Sequence, residues 1–243
     1  MFASSISTRV SLVVAFALAA CGSETSTLPI DNPPPPPAAP ALVVYGAGSA
    51  AAASLLSGPD SNMTFGPASS LTMKLYALHI SANADCSNPV LVQDLGAVGV
   101  DKDFMTNPVL FSATPAAGTY QCVMFTMSDV LRMKPGATFG GCVAGTEYAG
   151  DIYREGENDW VDVNGNSITG TGTDEVPVDS HVTIFFTRNV AAAVARGISE
   201  NQLVELQSSL VVPGQSTFRM DASHAVATDG VQCGIEKPVV SFQ

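Results

Sequence analysis

The chain has 243 residues, with 22 acidic against 10 basic side chains and a formal net charge of −12. No Lys/Arg cluster is present, which excludes a nucleic-acid footprint and disfavours electrostatic adhesion to anionic lipid headgroups. The stretch from residue 42 onward is of a length that suits one domain.

Taken from the start, Arg9 is the only charge before Glu24, and an apolar run over residues 10–20 follows it. Eleven residues at about 1.5 Å each span roughly 16 Å, half of a ~30 Å hydrocarbon core, so the run is too short to cross a membrane as a helix. A short apolar run behind one positive charge, ending in small residues, predicts an export signal over residues 1–20. Its end, Leu18-Ala19-Ala20-Cys21-Gly22, resembles the lipobox of bacterial lipoproteins. That resemblance implies cleavage before Cys21, a diacylglycerol thioether on its thiol, and acyl chains such as palmitate holding the protein on a membrane. Gly22 rather than Asp after the cysteine implies sorting to the outer membrane, with the domain on its periplasmic or cell-surface side. Residues 21–41 then read as a tether: the proline run 33–37 with Pro40 adopts extended polyproline II.

The folded part is expected over residues 42–243 as a single domain. Its opening, Val43-Val44-Tyr45-Gly46-Ala47-Gly48-Ser49-Ala50-Ala51, fits a G-x-G-x-x-A dinucleotide fingerprint. Asp60 comes too early to serve as the ribose acid, and no alternating β/α units follow, so no cofactor is expected. A short helix is expected over 47–56. Strand signals then dominate. Over 71–81, Leu71, Met73, Leu75 and Ala77 alternate with Thr72, Lys74 and Tyr76. Short runs at 90–92, 109–111, 119–127, 130–133, 137–139, 181–187, 216–222 and 239–242 are bounded by turn residues. Asn164-Gly165 predicts a two-residue hairpin turn joining strands at 160–163 and 166–169. Helix is limited to 190–196, capped by Asn189 and stopped by Gly197, and to a short helix begun by the capping box at Ser199 with Leu203 and Leu206 buried. Many short strands between turns predict a mainly β fold, an antiparallel β-sandwich of transthyretin-like or Greek-key type with one or two short helices near 190–208.

Apart from Cys21, four cysteines remain: Cys86, Cys122, Cys142 and Cys233. In an oxidising compartment they predict two disulfides, with three connectivities open. The pairing expected here is Cys122–Cys142 with Cys86–Cys233. No C-x-x-C spacing, no H-E-x-x-H and no i, i+4 histidine pair supports a metal site.

The stretches Ser70-Leu-Thr-Met-Lys-Leu-Tyr-Ala-Leu-His-Ile and Pro115-Ala-Ala-Gly-Thr-Tyr-Gln-Cys-Val resemble uncharacterised bacterial lipoproteins with a transthyretin-like sandwich, as do residues 151–168 and the ending from Cys233. The resemblance implies the fold and carries no activity.

For catalysis the sequence is poor. G-x-S-x-G is absent, and His79, His181 and His224 are scattered, so no catalytic residue is assigned. The region 147–179 is unusual: Glu147, Asp151, Glu155, Glu157, Asp159, Asp162, Asp174, Glu175 and Asp179 stand against Arg154 alone, beside Tyr148, Tyr153 and the single Trp160. The sharper reading is a calcium-assisted surface for a glycan, peptide or protein ligand, with carboxylates holding the ion and exposed Tyr148, Tyr153 and Trp160 stacking on the ligand. The plainer one is a solvated acidic face with Trp160 in the core, and it is preferred. Asp162-Val163-Asn164-Gly165-Asn166 mimics the start of a calcium loop, but Ser167 replaces the required glycine and Thr173 the bidentate glutamate, so a hairpin without metal is expected. The function expected is a lipid-anchored envelope protein with a structural or ligand-binding role; the alternative is an envelope hydrolase without a recognisable motif.

Overall fold

The computed structural model describes residues 42–47, 64–106, 109–173, 175–213, 217–221, 226–235 and 239–242. The expected signal, Cys21, the tether and His224 lie outside the described residues, as does the helix expected over 47–56 except for Ala47, which belongs to a strand. In chain order the strands are β1 (Leu42–Ala47), β2 (Thr64–Gly66), β3 (Ala68–Ser81), β4 (Val90–Asp94), β5 (Val100–Asp103) and β6 (Val109–Ala113). Next come β7 (Gly118–Tyr120), β8 (Cys122–Ser128), β9 (Val130–Pro135), β10 (Tyr148–Asp151) and β11 (His181–Thr187). After helix α1 (Val190–Ala195) follow β12 (Leu203–Glu205), β13 (Leu210–Val212), β14 (Thr217–Asp221), β15 (Val226–Thr228), β16 (Cys233–Ile235) and β17 (Val239–Phe242). The fold is mainly β, as the strand signals predict, and all described residues fall within one compact unit, 38–243.

The longest strand, β3, organises the larger sheet, whose order is β10-β9-β3-β8-β11-β12 with β4 and β5 also paired to β3. Strands β8 and β9 run in the same direction, both antiparallel to β3, and are separated only by Asp129. Together they form one long line with a break. Beyond it β10 pairs β9 and β11 pairs β8, so the sheet forks at Asp129. A second sheet, β17-β14-β1-β6, faces it, and a smaller one, β16-β15-β2, lies beside them. Pairing is antiparallel except for β1 with β14 and β11 with β12.

Four phenylalanines join the two larger sheets. Phe125 of β8 contacts Phe111 of β6 at 5.3 Å, Phe186 of β11 at 4.9 Å and Phe218 of β14 at 5.6 Å between ring centroids. All are essentially fully buried. Each such side chain contributes roughly 1.5–3 kcal/mol by leaving water, and tilted ring pairs add to that. On the opposite face of the larger sheet a second cluster, including Met124, Phe185, Ala193 and Leu203, is covered by α1. The Asn189 side chain accepts from the Ala192 amide at the start of α1, and Gly197 takes φ +97 after it, as expected.

Several local expectations need correcting. The core face of β3 runs Leu71, Met73, Leu75 and then Leu78 and Ile80, because a bulge between Leu75 and Ala77 shifts the register. One inserted residue swaps the two faces, so Ala77 pairs with Thr126 away from the core. The expected strand over 119–127 is broken at Gln121 into β7 and β8. Residues 137–139 form no strand and lead instead into a tight turn over 139–142, closed by the Phe139–Cys142 bridge. The capping box at Ser199 fails: its hydroxyl donates to Asp159 instead, and residues 200–202 make one 3-10 turn leading into β12. Leu203 and Leu206 are buried, but outside any helix.

The four cysteines form two disulfides, Cys86–Cys122 and Cys142–Cys233, with Cα separations of 5.4 and 5.0 Å. The expected connectivity is therefore wrong. Cys122 pairs with Ser81 at the end of β3, so the loop after β3 brings Cys86 over it. The 139–142 turn leans on β15, with the Gly141 amide donating to Thr228 Oγ1, which sets Cys142 against β16.

A candidate site of an apolar cavity and a polar vestibule

A cavity of about 270 Å³ lies on the core face of the forked sheet. Alternation builds it: Leu71 and Met73 of β3, Phe125 and Met127 of β8, and Ile184 and Phe186 of β11 present their side chains to one side. Met220 of β14 and Ile235 of β16 close it from the other sheets, and Trp160 forms part of the wall. Asn201 is the one polar side chain in the lining. Ile152, Ile184, Val204 and Ile235 are half-buried and Asn201 is exposed, so these residues mark the mouth. For scale, a cavity of roughly 150 Å³ walled by Leu, Ile and Phe stays dry and takes up benzene.

A second space, of about 670 Å³, adjoins the first through the shared residues Ile152 and Ile235. Its walls are β10, the 231–235 segment and the side chains of Tyr148, Arg154 and Glu175. The Tyr148 hydroxyl accepts from the Val143 amide at 2.9 Å and donates to the Gly141 carbonyl at 3.3 Å. Arg154 Nε donates to the Asp151 carbonyl at 3.2 Å.

The expected aromatic ligand surface is not what these residues build. Tyr153 and Trp160 are buried, stacked at 4.5 Å with 13° between their planes. The Tyr153 hydroxyl donates to the Ile168 carbonyl and accepts from the Trp160 amide, which ties the 153–168 excursion onto the core. Only Tyr148 remains partly accessible. The preferred reading of the acidic region holds for Glu147, Glu155, Glu157, Asp159 and Glu175, all exposed, while Asp151 departs from it by being buried.

The fork of the larger sheet carries a polar cluster that the sequence pattern does not announce. Asp129 is fully buried: Oδ1 accepts from the Ser180 amide at 2.7 Å, and Oδ2 has no hydrogen-bond partner. Burial pushes its carboxyl up to about 6, against the Ser180 amide that pulls it down, and the Asp151 carboxylate adds to the rise. Asp151 Oδ1 accepts from the Tyr153 amide and Oδ2 from the Val178 amide. Asp179 accepts from the Tyr76 hydroxyl at 3.0 Å and from Lys74 Nζ at 2.6 Å. Burial pushes Asp179 up, but Lys74, Ser128 and Tyr76 together hold it below the usual carboxylate range. The three aspartates thus hold the segment 178–180 against the fork.

Neither described imidazole is hydrogen-bonded to a carboxylate. His181 is exposed and lies against Tyr76, with ring centroids 3.6 Å apart and planes tilted by 32°, and His79 is half-buried with Nδ1 unpartnered, its pKa lowered by burial. Asp162 closes its own turn: Oδ1 accepts from the Asn164 and Asn166 amides and Oδ2 from the Asn166 side chain. The turn therefore spans 162–166 and closes on a single Val161–Ser167 bridge, in place of the two strands expected around a two-residue turn. The first glycine of the dinucleotide pattern, Gly46, lies inside β1 opposite Met220 instead of in a turn, and the pattern from Gly48 on lies outside the described residues. No protein-family model matches the chain, and neither a curated protein nor a solved structure is detectably similar to it.

Proposed function

We propose that the protein is a lipid-anchored binding protein of the cell envelope that takes an apolar chain into the cavity between its sheets. Cys21 carries the acyl anchor in this reading, residues 22–41 space the domain from the outer membrane, and the transthyretin-like sandwich is the binding body. The observation that carries the proposal is the cavity itself: about 270 Å³ walled by apolar side chains, with half-buried isoleucines at its mouth. Apolar pockets with few, placed polar groups are the usual form of small-ligand sites.

The single tryptophan lies in the wall, so it reports occupancy directly. Bromododecanol, whose bromine quenches indole emission on contact, is titrated into the non-lipidated chain of residues 22–243. Saturable quenching is expected in the wild type, and weaker quenching in Ile184→Phe, which narrows the mouth. Emission that stays unchanged up to the solubility limit of the probe sinks the proposal.

A further inference from the structure

The vestibule is open because of two glycines. A Cβ built on Gly150 meets no heavy atom within 4 Å, and one on Gly234 meets only the Ala227 carbonyl, at 4.0 Å. Neither residue has a positive φ, so neither backbone conformation asks for glycine. Glycine inside a strand weakens it and marks places where a ligand approaches closely. Gly150 pairs with Leu131, whose side chain lines the apolar cavity, so the bare position lies beside the cavity wall. The space opens onto the cavity through Ile152 and Ile235.

The charge of the vestibule selects what it can hold. Arg154 is its one cation, and it is already engaged by the Asp151 carbonyl and by the charge of Glu175. The surrounding segment carries Glu155 and Glu157, both exposed, and Glu147, which is ion-paired with Lys134 at 3.2 Å. An anionic group brought here meets a lining in which the carboxylates Asp151 and Glu175 outnumber the one cation, Arg154. A cationic group meets a lining in which Asp151 and Glu175 outnumber Arg154 and which includes Tyr148, a ring of the kind that attracts alkylammonium ions.

We infer that the cavity and the vestibule form one site for a single-chain amphiphile, its tail between the sheets and a positively charged ammonium head between β10 and β16. This rests on the proposed apolar-chain reading and adds the head group to it.

The test uses three dodecyl probes below their micelle-forming concentrations: dodecyltrimethylammonium, dodecanol and dodecyl sulfate. Each is titrated calorimetrically into the chain of residues 22–243, which contains the whole compact unit. The expected order of affinity is ammonium, then alcohol, then sulfate, with about tenfold or more between the first and the last. Gly150→Leu narrows the vestibule and should weaken the ammonium probe more than dodecanol, bringing the two affinities together. Glu175→Gln, an exposed change that the fold tolerates, should narrow the gap between ammonium and sulfate. Equal affinities for all three heads in the wild type overturn the head-group inference and leave the apolar-chain reading standing. Absence of binding by every probe, dodecanol included, overturns both.

Discussion

Asp129 interrupts what would otherwise be one strand from Cys122 to Pro135, and it does so at the point where β10 and β11 part. With Oδ2 unpartnered and its carboxyl pushed up to about 6, it holds a proton in the folded state that the unfolded chain releases near 3.8. Its contribution to stability is therefore full below about pH 4 and is lost as the pH rises through about 6. That gap corresponds to roughly 3 kcal/mol, an upper figure. Asp129→Asn should remove this part of the pH dependence, and denaturant melts of both proteins at pH 4.5 and pH 8 check it. The variant should gain on the wild type between the two, and a constant difference would contradict the assignment. A second expectation concerns Asp162, whose oxygens are all engaged inside their own turn. Burial pushes its carboxyl up, but those donors hold it lower than usual, and calcium would have to displace them. Calorimetric titration of calcium should give nothing tighter than roughly millimolar, and micromolar binding that vanishes in Asp162→Ala would reverse this. The contrast between the two aspartates shows what a sequence reveals at this scale. Asp162 announces its turn through Asn164-Gly165, whereas the burial of Asp129 depends on strands β3, β10 and β11, far away in the chain.

Among the elements, those written in local pattern were legible. Strands β11 and β17 and helix α1 fall where alternation, Asn189 and Gly197 place them. Short strands such as β5 and β12 carry no periodic signal, because they are held by neighbours and not by their own composition. The bulge in β3 was hidden for a related reason: Leu75, Tyr76 and Leu78 are all buried, so the period breaks without a glycine or proline to mark it. Gln202 shows how a failed helix can still be a structural joint. Its amide donates to the Val161 and Thr183 carbonyls at 2.7 and 2.8 Å and accepts from the Val161 amide at 2.9 Å, fully buried. Gln202→Leu leaves those backbone groups without partners and should cost about 2–4 kcal/mol by denaturant unfolding. Asn189→Ala, which removes only the cap of α1, should cost about 1 kcal/mol. Equal losses in the two variants would mean that the glutamine is replaceable packing.

At the scale of the molecule, the cavity could not be read from the sequence, since its walls come from strands as distant as β3 and β16. The class of fold could, through the density of short strands and turns. The two disulfides close spans of 36 and 91 residues. By loop-closure entropy these are worth about 4 and about 5 kcal/mol. Peptide mapping under non-reducing conditions should recover Cys86 linked to Cys122 and Cys142 linked to Cys233, and any other pairing refutes the arrangement. In vivo, labelled palmitate should enter the wild type but not Cys21→Ser; equal labelling would remove the anchor from the proposal. If the anchor is there, the position of β1 acquires a mechanical meaning. Any tension on the tether enters the fold at Leu42, and β1 is an inner strand, gripped by parallel β14 on one side and antiparallel β6 on the other. A pull along its axis loads both rows of hydrogen bonds at once, in shear, instead of peeling them one by one. With an anchor at Cys21, the domain would hang from a strand held along both of its edges.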